Sequence, residues 1–321
     1  MTPAQLGEAC RAIQAQVSRV LLGQQEAVEH ALVAVLAGGH VLIEGVPGLG
    51  KTLLVRVLAR VLGCTQKRIQ FTPDLMPSDV TGGNVFNQGK EAFEFVPGPV
   101  FTQMLLADEI NRAPAKTQSA LLEAMQERSV TTDGVSRPLP RPFFVMATQN
   151  PIESQGTYPL PEAQLDRFLL EIRVGHPTVE IERRILEHHL AGFDPAALER
   201  AGIEQIVDAD TLVRMQGALA AVHVTPEMVE YTTDIVRRTR SHRSLLHGAS
   251  PRGSIALAIA ARARAGADGR DFVTPDDVKS LAPAVLRHRV ILQPEAEFEG
   301  ITSDRCIEAI LGETRVPKTA A

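Results

Sequence analysis

Apolar residues fall into two regimes along this chain. Leu6, Cys10, Ile13, Val17 and Leu21 recur at three to four residues and predict an amphipathic helix, and a second helix is expected over about 24–36, ended by Gly38-Gly39. Short apolar runs follow at 40–44, 68–71, 104–107 and 143–147, each bounded by polar or turn residues. They alternate with helical stretches, one carrying Leu53, Leu54, Val57, Leu58, Val61 and Leu62 before Gly63, another over 115–127. That alternation is the pattern of a parallel sheet with helical crossovers. Residues 84–99, with a Gln-Gly-Lys turn, and 129–142, with the pair Asp133-Gly134, read as two β-hairpins. Beyond Pro177 strand-like runs nearly vanish and helical periodicity takes over. Thr225-Pro226-Glu227 and Thr274-Pro275-Asp276-Asp277 are helix starts, with Thr as N-cap, Pro at the first position and acids in the first turn. A domain boundary is expected near Gly175-His176-Pro177.

Between the first strand and the helix after it lies Gly45-Val46-Pro47-Gly48-Leu49-Gly50-Lys51-Thr52, a complete G-x-x-x-x-G-K-[ST] loop leading into Leu53. Strand, glycine loop and helix together aim backbone N–H groups and a helix N-terminus at nucleotide phosphates. Lys51 is placed to reach the β/γ-phosphates and Thr52 to give a hydroxyl to Mg²⁺. The run 104–107 ends in Asp108-Glu109. An acid pair ending a strand beside a phosphate loop suits Mg²⁺ binding by Asp108, partly through water, and polarisation of the attacking water by Glu109. A nucleoside triphosphate and Mg²⁺ are the expected cofactors. The strand at 143–147 ends in Thr148-Gln149-Asn150, where a neutral amide can orient water. Arg167, in Leu-Asp-Arg-Phe, and Arg252, in Ser-Pro-Arg-Gly, are the candidate cations.

Composition narrows the reading. The chain has 321 residues and a net charge of −5, with no Trp and two Tyr, which disfavours nucleic acid as the partner. The arginine-rich stretch at 237–243 is the one feature in its favour. Three isolated cysteines without C-x-x-C spacing fit a reducing cytoplasm, and neither a signal peptide nor a membrane-length apolar stretch is visible. Nine histidines lie at spacings that put no two on one helix face, so a metal other than Mg²⁺ is not expected and solvated helix faces are their default environment.

The strings GVPGLGKT, FTPDLMPSDVTGG, FVPGPVF, LLADEINRAPAKTQSALLEAMQE, ATQNPIESQGTYPLPEAQLDRF and GASPRG span nearly the whole chain and resemble an AAA+ ATPase of the MoxR family. The resemblance implies an α/β fold: a P-loop NTPase parallel sheet flanked by helices at 1–176, with the N-terminal helix and the two hairpins, followed by a smaller all-α lid domain at 177–321. It implies that the nucleotide is ATP, that Asn150 is the sensor positioning water, that Arg167 is a finger presented to a neighbouring subunit's nucleotide, with Arg112 the competing choice, and that Arg252 is the sensor on the lid. It also implies that Leu22-Gly23-Gln24 packs near adenine. A homo-oligomer follows, a hexameric ring by analogy, together with a von Willebrand factor A-domain partner and a role in remodelling or maturing client proteins, including metal or cofactor insertion. A magnesium-chelatase-like motor and a nucleic-acid-associated motor are the alternatives; the GAFTGA loop of a sigma-54 activator is absent.

Overall fold

The computed structural model describes residues 1–46, 48–150 and 156–317. Helices α1 (Pro3–Ser18) and α2 (Gln25–Leu36) come first; a capping box between Thr2 and Gln5 starts α1, and Leu21 lies beyond its end. The alternating region runs β1 (Val41–Glu44), α3 (Lys51–Val61), β2 (Gln66–Gln70), α4 (Pro77–Thr81), the hairpin β3 (Gly82–Asn87) and β4 (Ala92–Pro97), then β5 (Met104–Asp108) and α5 (Ala115–Glu127). A second hairpin of β6 (Ser129–Thr132) and β7 (Val135–Pro138) leads to β8 (Phe144–Gln149), α6 (Glu162–Leu165) and β9 (Leu170–Arg173). The C-terminal part holds α7 (Val179–Leu190), α8 (Ala209–Ala218), α9 (Pro226–Thr239), β10 (Leu245–His247), α10 (Pro251–Ala267) and α11 (Pro275–Leu286). It closes with β11 (Ile291–Leu292), α12 (Pro294–Phe298) and α13 (Ser303–Glu313), so it is helical apart from the short β10–β11 ladder. Thr225 and Thr274 cap α9 and α11 as their sequences predict.

The main sheet has the order β2-β5-β8-β1-β9, with every pairing parallel. Both faces are covered, which is why its central strands are unbroken apolar runs. Val41, Ile43, Met104, Leu106, Phe144 and Met146 enter one core, with α2, α3 and the C-terminal helices. Leu42, Leu105, Ala107, Val145 and Ala147 enter the other, with Phe71, Val80, Leu121 and Phe168. Strand β9 was not visible as an apolar run because Glu171 interrupts it. That carboxylate is buried at the sheet edge on Arg173, 3.0 Å away, whose guanidinium also meets Glu44 and, across the boundary, Asp304 of α13.

Three histidines depart from the expected solvated faces: His30, His40 and His288 are buried. His40, just before β1, accepts from the Val145 N–H at 3.0 Å and donates to the Met125 carbonyl at 3.2 Å, so its ring pins the entry of β1 to β8 and α5. Burial pushes its pKa down to about 4, and it is neutral. Helix α1 packs on both α3 and α10. At Gly7 it packs so tightly beyond the end of α10 that a Cβ would come within 2.6 Å of the Gly269 backbone.

Candidate active site at the strand ends

The register of the sheet assembles the site. Ala107 is paired with Ala147 and Gln70 with Asp108, so the residues next along β5 and β8, Asp108 and Thr148, stand side by side with Gln70 across from them. These strands, with β1, end at one edge of the sheet, where ligands of open parallel sheets bind. The phosphate loop leaves β1 there. Gly48 and Gly50 have φ of 87° and 77°, left-handed values that favour glycine, and Gly50 hands the chain to α3 as its N-cap. A Cβ on Gly45 would lie 2.7 Å from the Val174 carbonyl, so that position also requires glycine. The Lys51 ammonium donates to the Gly45 carbonyl at 2.6 Å, closing the loop on itself. Burial pulls the Lys51 pKa down, opposed by the carboxylates of Asp108 and Glu109. Val46 continues the loop half-buried; Pro47 lies outside the described residues.

Asp108 and Glu109 are held differently. The Asp108 carboxylate accepts the Thr148 hydroxyl at 2.6 Å on one oxygen and Arg68 at 2.7 Å on the other. Glu109 turns off the strand at φ 55°, and its N–H donates to the same Thr148 hydroxyl at 2.9 Å. Its carboxylate accepts from Gln70 at 2.7 Å and from Arg112 at 3.1 Å. Arg112 is therefore a partner of Glu109 within its own chain. A cavity of about 520 Å³ brings together Gly48, Gly50, Lys51, Thr52, Leu53, Asp108, Glu109 and Asn150, and adds Arg56, Arg68, Gln70 and His189. Among the described residues no group of three or more His, Cys, Asp or Glu is arranged to hold a metal. The Thr52 hydroxyl and Asp108 carboxylate are hard oxygen donors facing one cavity, which fits Mg²⁺, an ion usually completed by waters and substrate phosphates rather than by a protein cage.

A second cavity of about 300 Å³ shares Gly48, Gly50 and Leu53 with the first and extends between Leu21, Leu22, Gly23, Ile181, Ile185 and Phe193. Its walls are largely apolar, which suits a planar base. Gln24 ties it to the loop by donating to the Leu49 carbonyl at 2.7 Å. Gly23 has φ 75°, and a Cβ there would meet Ile181 at 2.6 Å.

Arg167 and Arg252 are not in either cavity. They share a third, of about 270 Å³, with His40, Met125, Gln126 and Asp166. His40 precedes β1 and Gly45 follows it, so these arginines lie at the opposite edge of the sheet from the phosphate loop. Four strand residues at about 3.3 Å each separate the two edges by roughly 13 Å, more than an arginine side chain spans. Neither arginine makes an ion pair among the described residues, and Arg167 Nε is buried without a hydrogen-bond partner.

Thr148, Gln70, Arg68 and Arg56 were not candidates from sequence. They carry no local motif, and only the strand register shows what the first three touch.

Residues 40–170 match the family model described as ATPase family associated with various cellular activities (AAA), and residues 237–310 match an AAA lid domain. The chain is 47% identical to Chaperone MoxR1 of Mycobacterium tuberculosis over 95% of this chain and 82% of that protein. It is 48% identical to YeaC of Bacillus subtilis, a protein without an assigned function, over 94% of this chain and 92% of that one. A crystal structure from Cytophaga hutchinsonii superposes with a TM-score of 0.90 at 40% identity, covering 98% of this chain and 97% of the other. Among the described residues no helix is long and apolar enough to cross a membrane.

Proposed function

The chain belongs to the MoxR family of AAA+ ATPases, and from that premise we propose that it hydrolyses ATP at sites completed by a neighbouring copy and uses the cycle to remodel or mature other proteins. The observation that carries the reading is the position of Arg167 and Arg252, two cations without carboxylate partners among the described residues, at the edge of the sheet remote from their own phosphate loop. A parallel sheet cannot bring its two edges together, so the phosphate these arginines serve belongs to another copy. A closed ring, hexameric as the family resemblance implies, gives each copy one donor face and one acceptor face.

Within one site, Lys51 and the loop N–H groups hold the phosphates, and the cavity beside Gly23 takes the base. Mg²⁺, held by Thr52 and by Asp108 partly through water, would neutralise charge on the phosphates. Glu109 polarises the water that attacks the γ-phosphorus, Asn150 orients that water, and ADP leaves as the bond to the bridging oxygen breaks. Arg167 and Arg252 of the neighbour stabilise the charge that develops; a finger of this kind contributes on the order of 10³–10⁵ in rate.

The remodelling role rests on likeness to a protein named as a chaperone. It is also supported by the first hairpin, where Phe86 and Phe93 are paired edge to face and exposed. A von Willebrand factor A-domain partner and a cytoplasmic setting belong to the same proposal.

The test uses Glu109→Gln and Arg167→Ala. Glu109→Gln is expected to bind ATP and turn over at least roughly a hundredfold more slowly, and to retain clients in pull-downs with ATP. Mixing it with Arg167→Ala restores activity, because some interfaces then pair an intact Glu109 with an intact Arg167. No recovery in rings verified as mixed refutes the shared site.

A further inference from the structure

The segment carrying Arg167 is gripped by a buried group far away in sequence. Arg289, whose side chain is 3% exposed, donates to the Asp166 carboxylate at 2.8 Å, to the Phe168 carbonyl at 2.6 Å and to the Leu169 carbonyl at 3.2 Å. It therefore fixes the chain on both sides of Arg167. The other Asp166 carboxylate oxygen accepts the Ser250 hydroxyl at 3.1 Å. Ser250 is the N-cap of α10, and the same hydroxyl accepts the Arg252 N–H at 3.1 Å. A continuous chain of polar contacts thus runs from Arg289 through Asp166 and Ser250 to the first turn of α10, and both Arg167 and Arg252 branch from it.

We infer that Arg289, Asp166 and Ser250 are positioning residues that lock Arg167 of the sheet domain and Arg252 of the helical lid into one rigid anion-binding pair. The ligand of that pair is a phosphate carried by the neighbouring copy, so the inference rests on the reading of the shared site given above. The physical reason for such a clamp is geometric. A guanidinium on a free turn samples many positions, and misplacement of a charged group by about 1 Å can lower turnover roughly a hundredfold. Because the clamp crosses from sheet to lid, movement of the lid moves the finger with it. None of the three residues lines either cavity beside the phosphate loop, so loss of the clamp leaves the chain's own nucleotide grip intact.

The experiment measures ATP turnover and KM for Arg289→Gln, Asp166→Asn and Ser250→Ala in the full chain, each alone and combined with Arg167→Ala. Arg289→Gln is expected to lower kcat roughly thirty- to a hundredfold with KM for ATP changed less than about threefold. On the Arg167→Ala background it adds less than about twofold, since a misplaced finger cannot be lost twice. Mixed with Glu109→Gln subunits, it regains activity as Arg167→Ala does. A general loss of structure would instead raise KM and multiply with Arg167→Ala; that pattern, or wild-type turnover of Arg289→Gln, overturns the inference. If Arg289→Gln does not fold, Asp166→Asn and Ser250→Ala decide the matter by the same cycle, and additive losses or unchanged kcat in both overturn it. Should Arg167→Ala itself fail to recover on mixing, the shared site is what fails. Non-additivity between positions 167 and 289 still reports separately on the clamp.

Discussion

Replacing Thr148 by Val tests how the two strand-end acids are arranged, because the side chain keeps its shape and loses one hydroxyl. That hydroxyl is fully buried and does two things at once: it accepts the Glu109 N–H at 2.9 Å and donates to Asp108 at 2.6 Å. Without it the Glu109 N–H has no acceptor, which costs about 1–3 kcal/mol, and Asp108 loses a charge-assisted bond of about 1.5–3 kcal/mol. Asp108 keeps its pair with Arg68, so the low end of the second figure applies and the total is about 3 kcal/mol. The Glu109 backbone is also released from the left-handed conformation, φ 55°, that the bond holds in place. Urea unfolding should therefore show Thr148→Val destabilised by about 3 kcal/mol, a large share of a typical domain's stability. Steady-state ATP turnover should fall at least tenfold as the Glu109 carboxylate loses its aim. Thr148→Ser, which keeps the hydroxyl and loses one buried methyl, should lose only about 1 kcal/mol and stay within about threefold of wild-type turnover. If the Val and Ser variants behave alike in both assays, the hydroxyl does not organise the acids and the reasoning fails.

Lys51→Met is expected to weaken ATP binding by at least tenfold in a fluorescent-nucleotide titration, because the loop loses its only side-chain cation; wild-type affinity would show that the phosphates sit elsewhere. His40 gives a pH prediction. Its folded pKa of about 4 lies below the ordinary 6.5, so the folded state binds fewer protons, and the stability it contributes is present above pH 6.5 and lost as pH falls toward 4. The full loss is about 3 kcal/mol. His40→Gln, which can still accept from Val145 and donate to Met125, should show a flatter decline of urea midpoint between pH 6.5 and 4. Parallel profiles would mean that His40 titrates normally in the fold.

What could be read from the sequence was what short strings determine. The glycine loop, the acid pair and the capped helix starts are local, since each needs only neighbouring residues to define its geometry. The strands at β1, β5 and β8 were legible because both their faces are covered and their apolar runs are unbroken. Strand β9 was hidden by Glu171, whose burial is tolerable only because Arg173 meets it. Thr148 and Gln70 look like ordinary polar residues at strand ends, and their roles depend on pairing with a strand about forty positions away. The place of His40 is not legible, because nothing local reveals that a carbonyl and an N–H from two other elements satisfy both ring nitrogens.

The arginines where sheet meets lid divide into two groups, and the division bears on function. Arg173 is paired with Glu44, Glu171 and Asp304, Arg287 with Asp304, and Arg289 with Asp166. Those pairs tie β1 and β9 to the lid, and for Arg287 and Arg289, whose guanidiniums are largely out of solvent, a carboxylate partner is needed in return. Arg167 and Arg252 stand in the same region without such partners among the described residues, although carboxylates are plentiful nearby. Glu123 and Glu127 line the cavity on the far side of Arg167, and neither forms an ion pair with it. Among the described residues three arginines are paired here and two, side by side, are not, which is the arrangement the proposed anion site needs. Their distance from Lys51 is what the proposed shared site rests on, in which a second copy carries that anion.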